Sequence, residues 1–88
     1  MNDSRRKQLR SALRLIEQAK DLLEQAKTIV EDCKSEEEDY RDNMPENMQS
    51  SERYDRAEEA VGHLDAAVDG LEVDLDEVVS YIESACDA

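Results

Sequence analysis

Residues 54–85 read YDRAEEAVGHLDAAVDGLEVDLDEVVSYIESA, and the spacing of their apolar side chains decides the fold. Tyr54, Val61, Val68, Leu75 and Ile82 recur every seven residues. Ala57, Leu64, Leu71, Val78 and Ala85 repeat the step three places later, so all ten slots are apolar. At 3.6 residues per turn these two rows share one face of an α-helix, as the a and d positions of a heptad abcdefg. The spacing predicts one helix over about 51–86.

The first half follows the same rule. Leu9, Ile16, Leu23 and Val30 stand at a; Ala12, Ala19, Ala26 and Cys33 stand at d. A further row, Leu15, Leu22 and Ile29, occupies g, with Leu13 at e. This predicts a helix over about 4–41 whose apolar stripe is wider than a two-helix seam requires. Cys33 reads as a small core residue of that stripe. In a hairpin it lies roughly 40 Å from Cys86 at 1.5 Å of rise per residue, too far for a disulfide.

Between the helices, at about 42–50, the rhythm stops at DNMPEN. Asn43, Pro45 and Glu46 suggest a cap and a short helical turn, and Ser50 or Ser51 suits the start of the second helix. Met44 and Met48 can close the tip. A connection this short favours antiparallel neighbours.

Charge agrees with that direction. Residues 1–20 carry +4 and residues 21–88 carry −17, within a net charge of −13. Arg5, Arg6, Lys7 and Arg10 oppose the dipole of the first helix, and Glu83 and Asp87 oppose that of the second. An antiparallel hairpin sets these two misfits side by side. The expected architecture is therefore all-α: a single domain over 1–88, an antiparallel two-helix hairpin. Leu13, Leu15, Leu22, Ile29, Val79 and Tyr81 form an apolar patch that two helices cannot cover. A second copy would cover it, giving a dimeric four-helix bundle.

Little here suggests catalysis. His63, the single histidine, sits at an outward c position, and Glu59 one turn before it makes no metal site. No glycine-rich phosphate loop, Cys-x-x-Cys pair or calcium loop is present. The expectation is a chain that is not an enzyme, with no metal and no cofactor. No stretch approaches the roughly 20 apolar residues that cross a bilayer. The start of the chain lacks the apolar run of a secretory leader, so a cytoplasmic protein is expected. Direct nucleic-acid binding is not expected of so acidic a body.

The second helix carries ten acids and no Lys or Arg from Ala57 onward. Asp55, Glu58, Asp65, Asp69, Glu72, Asp76 and Glu83 follow one another at helical spacing. Like charges one turn apart destabilise a helix by about 0.2–0.5 kcal/mol per pair. Such a stripe is either a solubilising face or a docking face for a basic partner.

The corner also resembles a known group. Tyr40, Asn43, Pro45, Glu46 and Gln49, followed by Ser51, Glu52 and Arg53, resemble a loop of small helical-hairpin proteins encoded by bacteriophages and prophages. The likeness covers about a quarter of the chain. It implies a phage-related origin, a host bacterial cytoplasm and a hairpin, and supplies no catalytic residue. Together these readings predict an acidic interaction protein that inhibits a basic host protein, of defence or of nucleic-acid binding, by presenting a DNA-like carboxylate face. The alternative is a self-assembling coiled-coil adaptor.

Overall fold

The computed structural model describes all residues, Met1–Ala88, and every element in it is helical. Helix α1 runs Asp3–Asp42, a 3-10 turn spans Glu46–Met48, α2 runs Glu52–Leu71 and α3 runs Leu75–Asp87. The heptad rows thus become helices and the hairpin-like order holds. The chain packs as two units, Gln25–Glu72 and Met1–Glu24 with Val73–Ala88.

In the unit Gln25–Glu72, the later part of α1 lies antiparallel to α2. The connection begins where the Asn43 backbone N–H donates to the Asp39 carbonyl at 2.9 Å, closing α1. Asn43 does not cap the turn that follows. Pro45 stands at that position, extended at φ −58 and ψ 151, with no side-chain cap bond. Ser51 caps α2: its hydroxyl accepts from the Tyr54 N–H at 3.3 Å and donates to the Met48 carbonyl. This anchors the corner to α2 at the point where the first N–H groups of a helix lack partners. Met44, 8% exposed, and Ala57, 2% exposed, are the buried residues here. Cys33, expected in the core, is exposed, so the d row of α1 leaves the packed seam after Ala26, which is half-buried.

In the unit formed by Met1–Glu24 and Val73–Ala88, the start of α1 packs against α3. Leu9, Ala12, Ile16 and Ala19 on α1, with Leu75, Ile82 and Ala85 on α3, are half-buried, and no residue is fully buried. Arg6 donates through Nε to the Cys86 carbonyl at 2.9 Å. A guanidinium thus occupies one of the carbonyls that a helix leaves unpaired at its C-terminal end, where positive charge is favoured. Of the cations at the start of the first helix Arg6 makes this contact; no ion pair joins Arg5, Arg6, Lys7 or Arg10 to Glu83 or Asp87.

One continuous second helix does not form. The chain leaves the helix between Leu71 and Leu75, although the a/d pattern continues unbroken across Leu71 and Leu75. The cause is local. Asp74 takes the N-cap of α3, its carboxylate accepting the Glu77 N–H at 3.1 Å. Asp74 itself adopts φ −82 and ψ 80, and the Leu75 N–H donates to the Val73 carbonyl at 3.0 Å. That is an inverse γ-turn. Gly62 and Gly70 remain helical, and a Cβ added at either would meet no atom within 4 Å. Neither glycine is required by packing within the chain.

Candidate interaction surface

Along α1 the two flanks of the seam differ: beyond Leu13 the e positions are basic, whereas the g positions from Leu15 to Ile29 are apolar. On α1 the e positions hold Lys20, Lys27, Lys34 and Arg41, one every seven residues. In antiparallel helices the e positions of the two partners meet, where charged side chains pair. Lys34 Nζ reaches Asp65 at 2.7 Å and Lys27 Nζ reaches Glu72 at 3.1 Å. Seven residues back along α1 are matched by seven forward from Asp65 to Glu72, the C-cap of α2. The same register brings Arg41 level with Glu58, but the guanidinium turns instead to Asp42 at 2.9 Å. In the other unit Lys20 Nζ reaches Asp76 at 2.5 Å.

The hydrogen bonds to Asp76 and Asp65 respectively are the main reason that the Lys20 and Lys34 ammonium groups are held above their ordinary 10.5, with the neighbouring carboxylates adding to the effect. These groups are solvated. Exposed ion pairs fix register and orientation more than they add stability.

This arrangement alters the acidic stripe expected on the second helix. Asp65, Glu72 and Asp76 are not a solvent-facing row of unpaired carboxylates; each is held by a lysine of α1. Asp55, Glu58, Asp69 and Glu83 are exposed and carry no side-chain ion pair. The stripe also changes element at the break: Asp55, Glu58, Asp65 and Asp69 belong to α2, Glu72 caps its C-terminal end, and Asp76 and Glu83 belong to α3.

The opposite flank is apolar. Leu15, Leu22 and Ile29, the g row of α1, are each 64% exposed. Tyr81, at g in α3, is 69% exposed. The remaining two members of the expected patch lie elsewhere. Leu13 and Val79 occupy e positions and line one shallow cleft of about 370 Å³ with Arg14, Glu17, Gln18 and Glu83. The expected single patch is therefore two: Leu13 with Val79 on the e side, and the α1 row on the g side.

A second cleft, about 550 Å³ and open, lies at the corner between Tyr40, Met48, Arg53 and Arg56. Arg56 is tied to Glu52 at 2.6 Å. No group of three or more His, Cys, Asp or Glu gathers in a metal-binding arrangement. No helix is long and apolar enough to cross a membrane.

The accessible surface is 6625 Å², about 1300 Å² more than the roughly 5300 Å² that a folded monomer of 10.1 kDa exposes on average. With only Met44 and Ala57 buried, the chain leaves much of its apolar surface uncovered. No family model, curated protein or solved structure matches the chain, so the reading of its surface rests on its own residues.

Proposed function

We propose that this chain is a non-enzymatic interaction protein that works as an assembled helical hairpin, joining copies of itself through the apolar row of α1. The observation that carries this reading is Leu15, Leu22 and Ile29, a heptad apart and each 64% exposed, in a chain with two buried residues. Large aliphatic side chains repeated at one helical position for two full heptads are core residues by type. Here the chain itself does not supply their cover. Large apolar patches on soluble chains mark interaction sites, and a chain this small gains stability by association. The test is Leu22→Glu, which buries a charge only if the row is an interface. The variant is expected to run at the mass of one chain while keeping its helical circular dichroism. An unchanged assembly would remove the row from the interface.

A second reading has its own support. Asp55, Glu58, Asp69 and Glu83 carry no ion pair, and the chain's net charge is −13. In the phage setting that the corner's resemblance implies, these carboxylates engage a basic, nucleic-acid-binding host protein and inhibit it. Asp69→Lys with Glu83→Lys is the discriminating change, because neither residue holds a lysine of α1. Loss of a salt-sensitive complex with a basic protein, without loss of assembly, favours the inhibitor. Assembly lost with Leu22→Glu and indifferent to these reversals favours the adaptor.

A further inference from the structure

The α1 row has neighbours that say what covers it. On one side it is flanked by Ser11, Gln18 and Gln25, on the other by the alanines of the d row. From Ser11 to Ile29 this strip of α1 contains no charged residue, in a chain that is 40% charged. Beyond the strip the helix is basic at one end, at Arg5, and acidic at the other, at Glu36 and Asp39. An apolar middle between ends of opposite sign is self-complementary in one orientation only.

We infer that α1 docks antiparallel against α1 of a second copy, with the two-fold axis passing at Leu22. This deepens the assembly reading above and rests on it. Leu22 then meets Leu22, and Leu15 meets Ile29 of the second copy, because both stand seven residues from the axis. Arg5 comes level with Asp39 of the second copy, each 17 residues from Leu22. Gln18 and Gln25 of the two copies then meet along one flank as uncharged hydrogen-bonding partners, and the alanines of the two copies along the other. A parallel arrangement would stack basic end on basic end and acidic end on acidic end. An isologous contact of this kind is closed, so it gives a dimer and not a fibre.

The exposed area leaves room for an interface of standard size. The excess exposed surface of about 1300 Å² exceeds the roughly 800 Å² per partner that a specific interface of standard size buries. Two hairpins joined along α1 form a four-helix assembly, with the e-row ion pairs of Lys27 and Lys34 on the far flanks.

Disulfide trapping tests the geometry in a Cys33→Ser, Cys86→Ser background. Leu15→Cys and Ile29→Cys are introduced together, with Leu15→Cys alone as control. Within one chain the two sites are about 21 Å apart, beyond the roughly 7 Å a disulfide spans. Mild oxidation is expected to convert most of the double variant to a covalent dimer and to leave the single variant uncross-linked. Cross-linking of Leu15→Cys with itself would overturn the antiparallel geometry while leaving assembly intact. No cross-linking in either, with the parent still sedimenting as a dimer, would overturn the α1 contact and place the interface elsewhere. A parent that sediments as a folded single chain would overturn the assembly reading itself. A complex formed only with an added basic helical peptide would overturn the second copy as occupant.

Discussion

Replacing Leu22 by alanine separates the packing of one chain from the association of two. Leu22 is 64% exposed in the single chain, so about a third of its burial is intramolecular. Complete burial of a leucine side chain contributes about 1.5–3 kcal/mol. Covering the remainder gains roughly 1–2 kcal/mol per copy, and the two-fold axis doubles it. Alanine keeps one methyl of that contact, which leaves an expected loss of about 1.5–3 kcal/mol per dimer. That corresponds to an association weakened about 10- to 100-fold. The helix itself does not suffer, because alanine is the best helix former. The assay is thermal unfolding followed at 222 nm over a hundredfold range of protein concentration. A protein stabilised by association melts higher as its concentration rises. The parent chain is expected to show that rise, and Leu22→Ala to reach the same melting temperature only at 10- to 100-fold higher concentration. Identical melting temperatures for the two proteins at every concentration would refute the reasoning.

Other consequences concern the seam and its ends. Lys34→Glu removes the 2.7 Å contact with Asp65 and sets two carboxylates together; it is expected to lower the melting temperature, and the swap Lys34→Glu with Asp65→Lys to restore most of it. The alkaline limb of stability should carry the lysines. Because the folded values of Lys20 and Lys34 lie above 10.5, their contribution is fully present below that pH and disappears as pH rises through the raised values. Helicity between about pH 9 and 12 should therefore fall more steeply in the parent than in a Lys20→Met, Lys34→Met variant, and equal slopes would contradict it. Gly62→Ala places a methyl in open space and removes about 1 kcal/mol of helix penalty, so it should raise the melting temperature. A fall would mean that a partner approaches closely at that position. Ser51→Ala removes the cap of α2 and is expected to destabilise by about 1 kcal/mol, read as a lower urea midpoint.

Much of this structure is legible in the heptads. The a and d rows place both helices, and the cessation of those rows at 42–50 places the corner; of Ser50 and Ser51, which the sequence leaves as alternatives, Ser51 is the cap of α2. The break at Val73 is not legible from the rows, because an apolar a/d pattern is satisfied by a continuous helix and by two helices meeting at a turn. Its signal is shorter: Asp74 followed three residues later by Glu77 has the spacing of an N-terminal cap, and Asp74 does accept the Glu77 N–H. Periodicity over five heptads hid that local competition.

The acidic stripe illustrates a second limit. Taken along one helix, Asp65, Glu72 and Asp76 are like charges in a row. Read across an antiparallel pair, Asp65 and Glu72 are the e-position partners of Lys34 and Lys27. Lys20, Lys27 and Lys34 repeat every seven residues, but a repeat on one helix does not say which carboxylates of another helix it meets. The corresponding g flank was legible from the start, since an apolar row needs no partner to be recognised. What the row cannot give is exposure, which depends on what the seam has already covered.

The most direct measurement is sedimentation equilibrium of the unmodified chain under reducing conditions, beside Leu22→Glu. The parent is expected to approach twice the chain's 10.1 kDa as concentration rises, and Leu22→Glu to stay at the mass of one chain. A parent that remains at one chain's mass across the whole range, with its helices intact, would contradict the α1 row as an assembly surface.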